Sequence, residues 1–261
     1  MDNQDIRHQQ SRLEGTPPHW VPIRGLTLLL DTPDVCLVAD EANGLRRLHC
    51  DVSREAKLAL FNILYGGVAD SEIIRLFAGK QNFCIVPSAA YHVTALGLFS
   101  EENVHLLSAR VRNAAVACLR EQPGCERREF PELIDCIMES GLVTQQFSVE
   151  YEYDSFALFS TALVARLRPT LVSLEAHQSL EHARNALSSQ LHERFGLPIS
   201  AKLDPHVTIG YFTSLEERES FSPFLEHIQA VGSGIRSRVS FSSVSLYSYS
   251  DVTHFFRVPL P

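Results

Sequence analysis

The sequence predicts an α+β fold of antiparallel sheets arranged in two related lobes, and three observations carry that prediction. Strand-like and helix-like stretches alternate without a regular βαβ rhythm. No Gly-rich phosphate loop opens a helix. Two tracts, His92-Val93-Thr94 and His206-Val207-Thr208, each head an apolar run, and their surroundings repeat: with His92 set on His206, Ser100 falls on Ser214 and Glu102 on Glu216. Each tract reads as a strand, a helix N-cap serine, then acidic residues in the first turn, where the helix dipole favours them. A strand-to-helix unit that occurs twice predicts an internal duplication and two structurally equivalent lobes.

The elements follow in order. The polar stretch up to Thr16-Pro17-Pro18 reads as an arm, residues 1–24, with Trp20 anchoring it by burial. Leu26 to Leu30 and Val35 to Ala39 read as strands around the turn Asp31-Thr32-Pro33-Asp34. Ser53 is placed as the cap of a helix that runs to Tyr65 and is stopped by Gly66-Gly67. A helix over Glu72 to Ala78 and strands over Phe83 to Val86 and His92 to Phe99 come next. After Ser100, the residues Val104, Leu107, Val111, Ala114, Ala115 and Cys118 keep helical period on one face. Glu121 to Phe130 reads as a solvated, charged loop, and Pro131 opens a short helix ending before Gly141.

Strands are expected over Val143 to Tyr153 and Phe156 to Leu167. A helix from Ser173 to Phe195 follows, with Leu180, Ala183, Leu187 and Leu191 as its buried stripe and Gly196 as its stop. The second His-Val-Thr strand leads into a helix from Ser214 to Gln229. Two strands, Arg238 to Tyr247 and Thr253 to Val258, close the chain around Ser248 to Val252. Residues 25–261 are thus expected to form one bilobed domain, with the lobes centred on 83–120 and 173–229.

Composition sets the broad class. With 45% apolar and 21% charged residues in 261, the chain is an ordinary globular protein with a substantial core. Its formal charge of −8 argues against a long nucleic-acid footprint but leaves room for a small nucleotide in a local positive pocket. Cys36, Cys50, Cys84, Cys118, Cys125 and Cys136 show no metal-ligand spacing and read as reduced core thiols. No apolar run is long enough to span a membrane and the N-terminus does not resemble a signal peptide, so a cytoplasmic, monomeric protein is expected.

The chemistry lies in the two tracts. Residues i and i+2 of a strand share a face, so each tract presents an imidazole beside a hydroxyl while its valine turns into packing. His177-Gln178-Ser179 has a polar middle residue within a helical pattern and is a coincidence. Facing one cleft, His92, Thr94, His206 and Thr208 supply an acid, a base and two hydroxyl donors, the needs of in-line displacement at phosphorus. Two histidines are too few to hold a metal, and no cofactor is expected. Alternation turns Tyr91 and Tyr211 to the opposite, packing face. Tyr247, Tyr249 and Phe255, near the terminal hairpin, are the candidates for stacking on a nucleobase. Arg166, Arg168 and Arg257 read by default as solvated surface arginines, with contact to a phosphate as the alternative.

The tetrads His92-Val93-Thr94-Ala95 and His206-Val207-Thr208-Ile209 resemble those of the 2H phosphoesterase superfamily. So do the lead-in Leu203-Asp204-Pro205 and the C-terminal pattern Val244-Ser245-Leu246-Tyr247 with Phe255-Phe256-Arg257-Val258-Pro259-Leu260. The resemblance implies a bilobed, pseudo-twofold fold with the motif strands lining a central cleft and helices outside. It also implies a phosphodiesterase that opens 2′,3′-cyclic phosphates of nucleotides or RNA 3′ ends without a metal. Cleavage of 2′-5′-linked or cyclic oligonucleotides by the same residues, and a non-catalytic nucleotide-binding module, remain the alternatives.

Overall fold

The computed structural model describes residues 12–15, 19–31, 37–52, 56–199 and 202–261. Most of the expected arm, the turn after Asp31 with Val35 and Cys36, and Ser53 as a helix cap lie outside these residues. The strands are β1 (Leu13–Glu14), β2 (His19–Trp20), β3 (Gly25–Leu30), β4 (Leu37–Ala39), β5 (Arg46–Leu48), β6 (Phe83–Ile85) and β7 (Thr94–Ser100). They continue with β8 (Val149–Phe159), β9 (Ala162–Pro169), β10 (His206–Phe212), β11 (Arg238–Phe241), β12 (Val244–Asp251) and β13 (His254–Arg257). The helices are α1 (Ala59–Ile63), α2 (Glu72–Gly79), α3 (Ala109–Glu121), α4 (Glu126–Glu129), α5 (Pro131–Glu139), α6 (Leu174–Phe195), α7 (Leu215–Phe221) and α8 (Leu225–Gly232). No helix among the described residues is long and apolar enough to cross a membrane.

Two antiparallel sheets organise the molecule. One has the order β4-β5-β13-β12-β3-β7 and carries the first motif on its edge; the other has the order β11-β8-β9-β10-β6 and carries the second motif inside. All six residues of β3 are buried, as their apolar run implies, because the strand is covered on both faces and paired on both sides. Helices dock on the outer faces through polar clasps as well as apolar contact. Gln229 of α8 accepts from the Phe156 amide at 2.9 Å and donates to its carbonyl at 2.7 Å, in the manner of an extra strand residue.

The sheets draw on segments from both of the expected lobes, centred on 83–120 and 173–229. The three-residue β6 cannot stand alone, and it finds its hydrogen-bond partners on β10 in the second sheet (Gly210 opposite Ile85). Helix α6 touches both sheets: Arg184 donates to the Ala95 carbonyl at 2.8 Å, and His177 meets the Tyr151 hydroxyl at 3.0 Å. The expected last long strand divides in the same way, β11 joining the second sheet and β12 the first.

Several boundaries move for identifiable reasons. Ser214 caps α7, accepting from the Glu217 amide at 3.1 Å. Ser100 caps no helix: pairing with Gly25 keeps it in β7, its hydroxyl accepts from Glu102 N at 3.3 Å, and α3 begins only after Ser108. Gly66-Gly67 does not stop the first helix, which widens into a π-turn over Leu64–Ala69 so that Leu64, Val68 and Ala69 are buried. The supposed loop Glu121 to Phe130 contains α4, where buried Glu126 accepts from the Gly124 amide at 3.0 Å. The middle strands are shifted, turning at Ser160 (φ 49°) to make the β8–β9 hairpin. Pro223 interrupts the helix expected to run unbroken to Gln229. At the terminal hairpin, β12 extends through Asp251, so Ser248 to Ser250 are strand rather than linker. Among the described cysteines, Cys50, Cys118, Cys125 and Cys136 are buried, and Cys84 is partly buried.

Candidate active site

The first motif is held by what precedes β7. A 3-10 turn, Ser88–Ala90, hands the chain to extended backbone at Tyr91. The Val93 carbonyl accepts from Leu30 N at 2.9 Å, so pairing with β3 starts before Thr94. Val93 is fully buried, while His92 and Thr94 are half-buried on the other face. The His92 Nδ1 lies 2.8 Å from the Ala90 carbonyl. A carbonyl only accepts, so Nδ1 carries the proton and Nε2 is the free nitrogen.

The second motif repeats this local design. The His206 Nδ1 lies 2.8 Å from the Asp204 carbonyl, again two residues back, and Val207 is fully buried. Each imidazole also rests on an aromatic ring: His92 on Phe255 at 4.4 Å and His206 on Phe159 at 5.1 Å between centroids. Burial lowers the pKa of His92, the Ala90 carbonyl opposes that effect, and the charge of His206 adds to it; the result is about 4.

One cavity of about 440 Å³ joins the two sheets, lined by His92 and Thr94 from one side and by Thr208 and Tyr211 from the other. His206 shares the strand face of Thr208. Tyr211 was expected to face away, and the structure reverses that. The β9–β10 register slips between Thr208 and Gly210, so the residues after Ile209 change face and Tyr211 points into the cleft. Gly210, an isolated glycine in a strand, was the available signal for such a bulge. Tyr91, by contrast, is buried, with its ring edge-on to Phe61.

The three expected stacking residues separate. Tyr249 and Phe255 line the cleft with their rings 5.6 Å apart. Tyr247 is 1% exposed and donates to Asp31 at 3.1 Å, so its face is unavailable to a base. Asp31 also accepts from Ser243, Ser245 and Arg257, which makes Arg257 part of a buried polar knot behind the site. Arg166 stands opposite His206 in the ladder but pairs with Asp204 at 3.1 Å; Arg168 pairs with Glu152 at 3.0 Å.

Sequence reasoning missed Arg12 as a cleft residue. Arg12 belongs to the supposed arm, yet the hairpin β1–β2 brings it into the cavity wall, where it pairs with Glu102 at 2.9 Å. Trp20 of the same hairpin is partly buried, its ring edge-on to Tyr211 at 6.0 Å. Among the described residues no cluster of three or more His, Cys, Asp or Glu side chains is arranged to hold a metal ion.

No known protein-family profile matches the sequence, and no curated protein matches it either. Solved structures do. A conserved protein of unknown function from Agrobacterium tumefaciens aligns over 97% of this chain and 92% of its own, at 10% identity and a TM-score of 0.51. Usb1 from Kluyveromyces marxianus aligns over 92% of this chain and 98% of its own, at 11% identity and a TM-score of 0.44. At 10% identity the likeness to the Agrobacterium protein is one of fold alone. Two antiparallel sheets each bring one His-x-Thr strand to a shared cleft.

Proposed function

We propose that the protein is a phosphodiesterase that opens 2′,3′-cyclic phosphates of nucleotides or RNA ends by two-histidine acid–base catalysis. One observation carries this reading: both imidazoles hold Nδ1 against a carbonyl two residues back, at 2.8 Å, so each offers Nε2 beside its motif hydroxyl. In this reaction water attacks phosphorus while a base removes its proton, and the bond to one ribose oxygen breaks as an acid protonates that oxygen. His92, neutral at pH 7 because of its low pKa, suits the base. His206, on the other motif strand, takes the part of the acid. Thr94 and Thr208 donate to the non-bridging oxygens, where negative charge builds up in the transition state.

The test is turnover of 2′,3′-cyclic nucleotides in EDTA, with 2′-5′ oligoadenylates in parallel. We expect cyclic-phosphate opening that survives chelation and falls about 10²–10⁴-fold in His92→Ala and in His206→Ala. Full activity in both variants would remove the site assignment. Turnover of the 2′-5′ substrates alone would move the reading to that alternative, and binding without turnover would make the protein a nucleotide-binding module.

A further inference from the structure

The cavity that His92, Thr94 and Thr208 line also has an end built from residues the phosphate chemistry does not use. There the Arg12 and Glu102 side chains, 20% and 13% exposed, form an ion pair in the wall. Its surroundings are aromatic: Tyr211 and Tyr249 line the same cavity, and Trp20 backs Tyr211. Burial raises the pKa of both tyrosines, so the phenols remain neutral. The hairpin fixes Arg12 in place, since its carbonyl accepts from Val21 N at 3.0 Å and the adjacent Leu13 is buried.

Three features say what this end is shaped to hold. A carboxylate beside the guanidinium makes the pair neutral overall, which is a poor clamp for a second phosphate but suits a group offering donors and an acceptor together. Glu102 gives one oxygen to Arg12, while its other oxygen, Oε1, is shielded from water and accepts from no donor among the described residues. A buried carboxylate oxygen in that state lacks donors that a ligand can bring. Finally, Gly97 is the counterpart of Tyr211 on the other motif strand, and a Cβ built on it meets no atom within 4 Å. A tyrosine on one wall thus has open space for a planar ring at the matching place on the other.

We infer that this end of the cleft is a guanine-selective subsite, with Glu102 accepting from N1–H and the exocyclic amine of the base and Arg12 donating to O6. Guanine alone among the common bases sets two adjacent N–H donors beside a carbonyl on one edge. Adenine and cytosine offer one donor beside a ring acceptor, and uracil offers one N–H between two carbonyls. A carboxylate with one oxygen on a guanidinium and the other still lacking a donor can take the first pattern, the guanidinium receiving the carbonyl, in three charge-assisted bonds. The inference deepens the phosphodiesterase reading, on which it rests for the other half of the ligand.

The experiment compares kcat/KM for the 2′,3′-cyclic phosphates of guanosine, inosine, adenosine, cytidine and uridine in the wild type, Glu102→Gln and Arg12→Gln. We expect the wild type to favour guanosine at least tenfold over the other common bases, and severalfold over inosine, which lacks only the exocyclic amine. In Glu102→Gln the guanosine preference should collapse towards unity. Equal rates for guanosine and adenosine in the wild type, or a preference that survives Glu102→Gln, would overturn the inference. If no cyclic phosphate is opened, the phosphodiesterase reading fails by itself, and calorimetry with guanosine, inosine and adenosine 3′-monophosphates decides the subsite. Selective guanosine binding would keep it and equal binding would overturn it. The guanosine–inosine comparison needs no variant, so it stands even if a substitution prevents folding.

Discussion

His92 gives the sharpest quantitative test, because its burial makes a claim about both protonation and stability. The folded imidazole has a pKa of about 4, against about 6.5 in an unfolded chain. Between those values the unfolded chain binds more protons, so stability rises with pH across the window. This contribution is fully present above about pH 6.5 and is lost as the pH falls towards 4. From pH 6.5 to 5 the shift is worth at most about 2 kcal/mol, at roughly 1.4 kcal/mol per unit, discounted for the solvent that still reaches the half-buried ring. The assay is an NMR titration of the histidine ring protons, with His92→Gln to assign the resonance, followed by urea unfolding of both proteins at pH 7 and pH 5. The wild type should lose more stability than His92→Gln over that interval, by about 1–2 kcal/mol. A His92 resonance titrating near pH 6.5, or equal losses in the two proteins, would refute the reasoning and with it the choice of His92 as base.

Two further predictions concern what holds the site. Asp31 accepts from Ser243, Ser245, Tyr247 and Arg257, so Asp31→Ala should cost about 3–5 kcal/mol in urea unfolding, and a loss under about 1 kcal/mol would mean the knot is not structural. At Gly210 an added Cβ would fall within the Phe83 ring and against the Cys84 carbonyl oxygen, so Gly210→Ala should push β6 off β10. It should cost about 1–3 kcal/mol and disturb Tyr211, read as a changed tyrosine ring signal in NMR; an unshifted, fully stable variant would contradict this.

How much of the site was legible in the sequence depends on the range of the interaction involved. His92, Thr94, His206 and Thr208 were readable because each pair sits two residues apart in extended chain, and alternation acts locally. The carbonyl two residues behind each histidine is equally local. Tyr211 was misread by the same rule, because a bulge in the pairing with β9 changes the parity and the pairing partner is 40 or more residues away in sequence. Ser100 and Ser214 look equivalent in the alignment, yet only Ser214 caps a helix, since pairing with β3 holds Ser100 in its strand. Tyr247 and Tyr249 stand two apart on one strand, and burial against Asp31 separates their roles.

The sequence by itself therefore determined the α+β class, most helices and the two imidazole–hydroxyl pairs, because periodicity and local hydrogen bonding do not need distant partners. Only the tertiary structure decided which strands share a sheet, which tyrosine faces the cleft and that Arg12 of the arm reaches Glu102. Those outcomes are set by backbone pairing and close packing between segments far apart in the chain, which no local pattern encodes.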